Sequence, residues 1–136
     1  RGLGTALSWF VTGFSERSGI KVDYYQSPDV ERLPYEVEGA LFRVVQEALT
    51  NIHRHSGSDV ARVCLTKEPD RVVLVVEDEG RGLQDNLHIS DGIGVAKLGV
   101  GIPGMRERMR LVGGHLNVTS NSTGTTLTGV VPLNNG

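Results

Sequence analysis

Arg71-Val72-Val73-Leu74-Val75-Val76-Glu77-Asp78-Glu79-Gly80-Arg81-Gly82 holds five apolar residues in a row, four of them β-branched, and then turns abruptly to acid and glycine. An uninterrupted apolar run predicts a central strand with little exposure on either face, because only half-covered strands need polar alternation. Periodicity alone does not separate such a run from a buried helix, but its length and β-branching favour a strand. Residues 59–67 read as a second strand, joined to the first across Pro69-Asp70 as a hairpin.

Upstream of this hairpin lies the clearest helix, over 34–55. Pro34 opens it, and Val37, Ala40, Leu41, Val44, Val45, Ala48, Leu49 and Ile52 recur at the offsets of one buried face. Ser56-Gly57 stops it. Earlier still, Leu3, Leu7, Phe10, Val11 and Phe14 predict a helix over 3–18, ended by Gly19 and followed by a strand over 20–26. Downstream, 80–102 is polar and glycine-rich without a period, which is long for a plain connection. A helix follows over 103–112, between Pro103 and Gly113-Gly114, and two alternating strands, 115–120 and 125–132, flank the turn Asn121-Ser122-Thr123-Gly124. Strict alternation of strand and helix, as in doubly wound folds, is absent. The order predicts an α/β (α+β) two-layer sandwich, with a mixed sheet and helices on one face.

A chain of 136 residues fits one domain able to bury its own core. The net charge of -2 does not suggest a nucleic-acid groove or an anionic membrane as the main partner. The one cysteine, Cys64, lies in an apolar run, where a small core residue and a reducing compartment are the simplest reading. No apolar stretch approaches the roughly 20 residues of a membrane span, and no signal peptide is visible. A first residue of Arg1 suggests a domain excised from a longer parent, and a membrane anchor in that parent is compatible with this reading. The 18 glycines stand at about twice the usual share of roughly 7%, and most lie after residue 79. That half needs tight turns or close backbone approach.

Three segments carry chemistry. On the helix over 34–55, Glu47, Asn51, Arg54 and His55 share one side at about 100° per residue, with Asn51 and His55 inside the apolar arc and Glu47 at its edge. A carboxylate one turn before a carboxamide offers oxygen ligands to a hard cation such as magnesium, which shares its remaining positions with phosphates and water. Arg54 and His55 then fall on the phosphate side. A polar helix face that merely borders the core explains the same residues. Asp78 ends its strand, where a rigidly held carboxylate can accept a hydrogen bond from the exocyclic amine of adenine but not from a keto oxygen. Gly80 and Gly82 let backbone approach a base. An ordinary strand-ending turn has the same composition. Gly99-Val100-Gly101-Ile102-Pro103-Gly104 opens a helix. It lacks the preceding strand and following acidic residue of a dinucleotide site, leaving a phosphate cradle at a helix N-terminus or a plain helix-start turn. The Gly-x-x-x-x-Gly-Lys-Ser/Thr phosphate loop is absent.

In order, Gln46-Glu47-Ala48-Leu49-Thr50-Asn51-Ile52-His53-Arg54-His55, Asp78-x-Gly-x-Gly, the long loop, Gly99-x-Gly-x-x-Gly-Met105-Arg106-Glu107-Arg108 and Gly124-Thr125-Thr126 resemble the catalytic domain of bacterial sensor histidine kinases. Those kinases belong to the ATPase superfamily shared with DNA gyrase, MutL and heat-shock chaperones. The wording Gln-Glu-Ala-Leu-Thr-Asn and Gly-Met-Arg-Glu-Arg-Met is similar to the nitrate-sensor branch, and the resemblance spans about 20–133. It implies a Bergerat-type ATP-binding fold over 19–136, with 1–18 as the tail of a preceding dimerisation or linker helix. It also implies that Asn51 coordinates magnesium bridged to ATP, with Glu47 holding or polarising metal-bound water and Arg54 and His55 near the phosphates. Asp78, Gly80 and Gly82 would form the adenine pocket. Gly99, Gly101 and Gly104 would border the phosphates, 83–98 would be a movable lid, and Thr125 or Thr126 would close the adenine side.

The activity so implied is transfer of the γ-phosphate to a histidine on a separate dimerisation domain of a cytoplasmic, homodimeric kinase. Its response regulator would carry a helix-turn-helix output. The acceptor histidine of that family lies upstream, and none of His53, His55, His88 and His115 sits in a comparable setting, so the fragment alone should transfer phosphate poorly. No phenylalanine lies between Gly82 and Gly99, so the lid lacks an aromatic anchor seen in other branches. The rival readings are a clamp-type ATPase of the same superfamily and an anti-sigma-like serine kinase or protein-binding switch.

Overall fold

The computed structural model describes residues 2–30, 33–80, 87–89 and 102–133, with the side chains of 87–89 excepted. In chain order they form α1 (Leu3–Ser18), β1 (Lys21–Gln26), α2 (Tyr35–Asn51), β2 (Val60–Lys67), β3 (Arg71–Asp78), β4 (Leu87–Ile89), α3 (Ile102–Leu111), β5 (His115–Asn121) and β6 (Gly124–Pro132). The six strands make one sheet in the order β1-β2-β3-β6-β5-β4. β1 runs parallel to β2, and α2 is the crossover between them, as a parallel pair requires. Every other neighbouring pair is antiparallel, so the sheet is mixed as expected.

Alternation decides which face of the sheet carries the core. Ala61, Val63 and Leu65 of β2, Val72, Leu74 and Val76 of β3, Leu116 and Val118 of β5, and Leu127 and Val131 of β6 are buried. Their alternate neighbours, Val73, Val75, Thr128 and Val130, are only half-buried. The helices cover the first face. Leu3, Leu7, Val11 and Phe14 of α1, the Val37-to-Leu49 stripe of α2, and Ile102, Met105 and Met109 of α3 all join the same cluster as the strands. α1 is therefore built into the common core. Leu41, Leu49, Leu65 and Leu74 are completely buried, each stabilising the fold by about 1.5–3 kcal/mol.

Three expectations change. β3 is central, but it is not covered on both faces. Val73 pairs with Thr66 and Val130, and Val75 with Cys64 and Thr128, so a ladder of mostly β-branched side chains shields the open face in place of a second helical layer. Within the segment read as pure loop, Leu87–Ile89 forms β4 and pairs with Val118–Ser120 of β5. Three residues are too few to show a period, and edge pairing rather than patterning holds them. Last, α2 is α-helical only to Asn51 and then passes through a π-helical turn, Ile52–Ser56.

Candidate functional site

The two-residue period of β3 puts Asp78 on the same face as Val72, Leu74 and Val76, so its carboxylate points into the helical layer at the strand end. Asp78 is 9% exposed. It accepts hydrogen bonds from the backbone N–H of Gly80, at 2.8 Å, and of Thr125 on the neighbouring strand. Burial lifts its carboxyl above the ordinary value of 3.8, and these two N–H groups pull only partly against that. The result is an acceptor fixed by backbone of its own turn and of β6, with lone pairs left for a further donor.

The turn after Asp78 is locked to the end of α2. A Cβ at Gly80 would collide with the carbonyl oxygen of Ser56, so only glycine allows this approach. Ser56 and Ser58 are buried at 7% and 8% exposure. The Ser56 hydroxyl donates to the Ile52 carbonyl at 3.0 Å and accepts the Ser58 N–H at 2.9 Å. The Ser58 hydroxyl donates to the Val60 carbonyl at 2.6 Å and accepts the N–H of Val60 and of Glu79, at 3.2 and 3.1 Å. A chain of hydrogen bonds thus runs from the π-helical turn that follows α2 to the residue following Asp78.

One turn before that junction, α2 carries Glu47 and Asn51 four residues apart on one face. Both are half-buried. Neither side chain is hydrogen-bonded to another described residue. Among the described residues no group of three or more His, Cys, Asp or Glu side chains gathers to hold a metal. A carboxylate and a carboxamide without hydrogen-bond partners among the described residues suit a cation that takes most of its ligands from elsewhere, as magnesium does.

Arg54 and His55 depart from the expected stripe. The π-helical turn inserts more than 3.6 residues per turn, so positions past Asn51 no longer continue its face. His55, expected inside the buried arc, is exposed, as are Arg54 and His53. The His53 ring instead stands edge-on to Phe14 of α1, with centroids 6.1 Å apart.

On β6, Gly124 has φ +154°, and a Cβ there would collide with the Asp78 carbonyl oxygen. Glycine therefore lets β6 begin directly against the end of β3. Thr125 lies in register with Asp78 on the site's face, and its hydroxyl meets that of buried Ser120 at 2.9 Å. Thr126 is in register with Glu77 on the open face, away from Asp78. Of the two threonines read as alternatives, Thr125 is the one beside the carboxylate. Gly104 is exposed in the first turn of α3 with open space around it. Gly82, Gly99, Gly101 and, apart from 87–89, the proposed lid lie outside the described residues. Sequence reading missed Ser56, Ser58 and Ser120. The signal for the first two was Ser-Gly-Ser directly after a helix whose face carries Glu47 and Asn51.

The family model described as "Histidine kinase-, DNA gyrase B-, and HSP90-like ATPase" matches residues 36–135. The chain is 37% identical over 131 residues to the sensor histidine kinase MctS of Rhizobium johnstonii, covering 96% of this chain and 28% of that protein. It is 34% identical to the histidine-protein kinase/phosphatase DegS of Brevibacillus brevis, covering 97% of this chain and 33% of that one. The oxygen sensor histidine kinase NreB of Staphylococcus carnosus is 33% identical, with 97% and 37% covered. The chain thus spans about a third of these relatives. The histidine kinase domain of the blue-light-activated kinase EL346 from Erythrobacter litoralis superimposes with a TM-score of 0.76 at 28% identity, covering 97% of this chain and 61% of that one.

Proposed function

As this chain belongs to the histidine kinase-, DNA gyrase B- and HSP90-like ATPase family, we propose that it binds magnesium–ATP and presents the γ-phosphate to a histidine on a separate dimerisation domain of a sensor kinase. The observation that carries this reading is the locked junction itself. A buried carboxylate at the end of β3 is held against the end of the helix that bears Glu47 and Asn51. In this reading Asp78 accepts the adenine amine, with Gly80 and Thr125 fixing its orientation. Asn51 holds the cation and Glu47 orients its water. Magnesium, when bound, neutralises phosphate charge. Phosphoryl transfer depends mostly on positioning and such neutralisation, which half-buried oxygen ligands on a rigid helix serve. Arg54 and His55, exposed beyond the π-helical turn, reach toward the phosphates from solvent. Gly99, Gly101 and Gly104 border them at the start of α3, and Gly82 lines the adenine side.

No described helix is long and apolar enough to cross a membrane. We place the domain in the cytoplasm, within a homodimeric parent whose α1 continues from the dimerisation region. The partner is a response regulator with a helix-turn-helix output. The test is calorimetry on the chain. ATP is expected to bind, to lose affinity when magnesium is chelated, and to bind more tightly than GTP. Equal affinity for GTP would remove the role of Asp78.

A further inference from the structure

We propose that Ser58 is a positioning residue that sets the span between the adenine half and the metal half of the site. This rests on the reading of the site given above. Ser58 is buried, lies between β2 and the end of α2, and touches neither Asp78 nor Asn51 through any hydrogen bond. Ser58 nonetheless joins their two carriers, by its hydroxyl on the Asp78 side and by its backbone N–H on the helix side. It accepts the Glu79 N–H, one residue past Asp78, while its own N–H is held by Ser56, which is hydrogen-bonded back to Ile52 beside Asn51.

Gly80 shows how little slack exists, since its backbone sits on the Ser56 carbonyl with no room for a Cβ. The π-helical turn after α2, the start of β2 and the Asp78 turn meet at this point, and Ser58 is the polar pin among them, its hydroxyl bonded to Val60 and Glu79 and its N–H to Ser56. A nucleotide that engages both halves gains from their fixed separation, because the second contact becomes intramolecular once the first is made. Adenosine, which engages only the Asp78 half, gains nothing from that separation. Loosening the pin therefore weakens ATP selectively, which a purely structural serine would not do.

The experiment measures Mg-ATP and adenosine affinities of the wild-type chain, Ser58→Ala and Ser58→Thr by calorimetry and ligand-observed NMR, with circular dichroism and thermal melting on each. Ser58→Ala is expected to weaken Mg-ATP about tenfold, the scale of one lost buried hydrogen bond. Adenosine should change less than about twofold, and Ser58→Thr should restore most of the Mg-ATP affinity. Unchanged Mg-ATP affinity in a destabilised Ser58→Ala would overturn the proposal and leave a structural serine. Equal weakening of both ligands would overturn it in favour of a role confined to the adenine turn. Should Ser58→Ala not fold, Ser56→Ala cuts the same chain of hydrogen bonds and is judged by the same split. A wild-type chain that binds no Mg-ATP removes the nucleotide reading itself, whereas wild-type binding with no split removes only the role of Ser58.

Discussion

The end of β3 and the last α-helical turn of α2 solve opposite problems. At β3 the protein finishes its own polar group: Asp78 is buried, and two backbone N–H donors, one in its own turn and one on β6, already fix it. At α2 the protein leaves its polar groups unfinished, with Glu47 and Asn51 half-buried and without hydrogen bonds to other described residues. One half is preorganised by backbone and the other is completed by what binds. Such a division suits a ligand with a rigid flat end, which needs a preset acceptor, and a flexible charged end, which brings its own cation and water.

The contrast is broken most forcefully from the unfinished side. Asn51→Ala should weaken ATP about a hundredfold in the presence of magnesium, yet change little once the metal is chelated. Equal losses in both titrations would show that Asn51 does not serve a cation. The finished side should respond more mildly. Asp78→Asn keeps the shape but gives up a charged acceptor, so ATP should weaken about tenfold while GTP changes less, narrowing the preference measured in paired titrations.

The smallest effect concerns stability. Because the folded-state pKa of Asp78 is raised by burial, its favourable contribution is complete below the ordinary value of 3.8 and is lost as pH rises through the raised one. At pH 7 the fold therefore carries a desolvated charge. Asp78→Asn should melt about 2 °C higher than wild type at pH 7, with the gap closing below about pH 4. A lower Tm at neutral pH would mean that the Gly80 and Thr125 hydrogen bonds outweigh the desolvation.

Much of this was legible in the residues. Alternation in β2, β5 and β6 and the apolar stripe of α2 reported the buried face directly, because each element meets one layer only. The apolar run 72–76 of β3 misled, since it places valine on an open face where cross-strand neighbours supply the cover. Sequence spacing also set Glu47 and Asn51 on one helix face and Asp78 at a strand end, where the structure has them, but could not place Arg54 and His55. A π-helical turn leaves no composition signature, and counting at 100° per residue fails beyond it. Likewise, choosing Thr125 over Thr126 needed the strand register, because a shift of one residue exchanges the faces. The serine link was harder to read for a different reason: the group that Ser58 holds at the Asp78 turn is a backbone N–H 21 residues away in the chain.

α3 holds both methionines of the chain, Met105 and Met109, each with no exposed surface. Gly129 makes room for the second, whose methyl would lie 2.8 Å from any Cβ placed there. Thioethers so enclosed meet peroxide only when the helix lifts from the sheet. The rate of sulfoxide formation is thus a built-in clock for the opening of α3, readable by mass spectrometry without any label. A bound nucleotide that tightens this end of the domain would slow that clock.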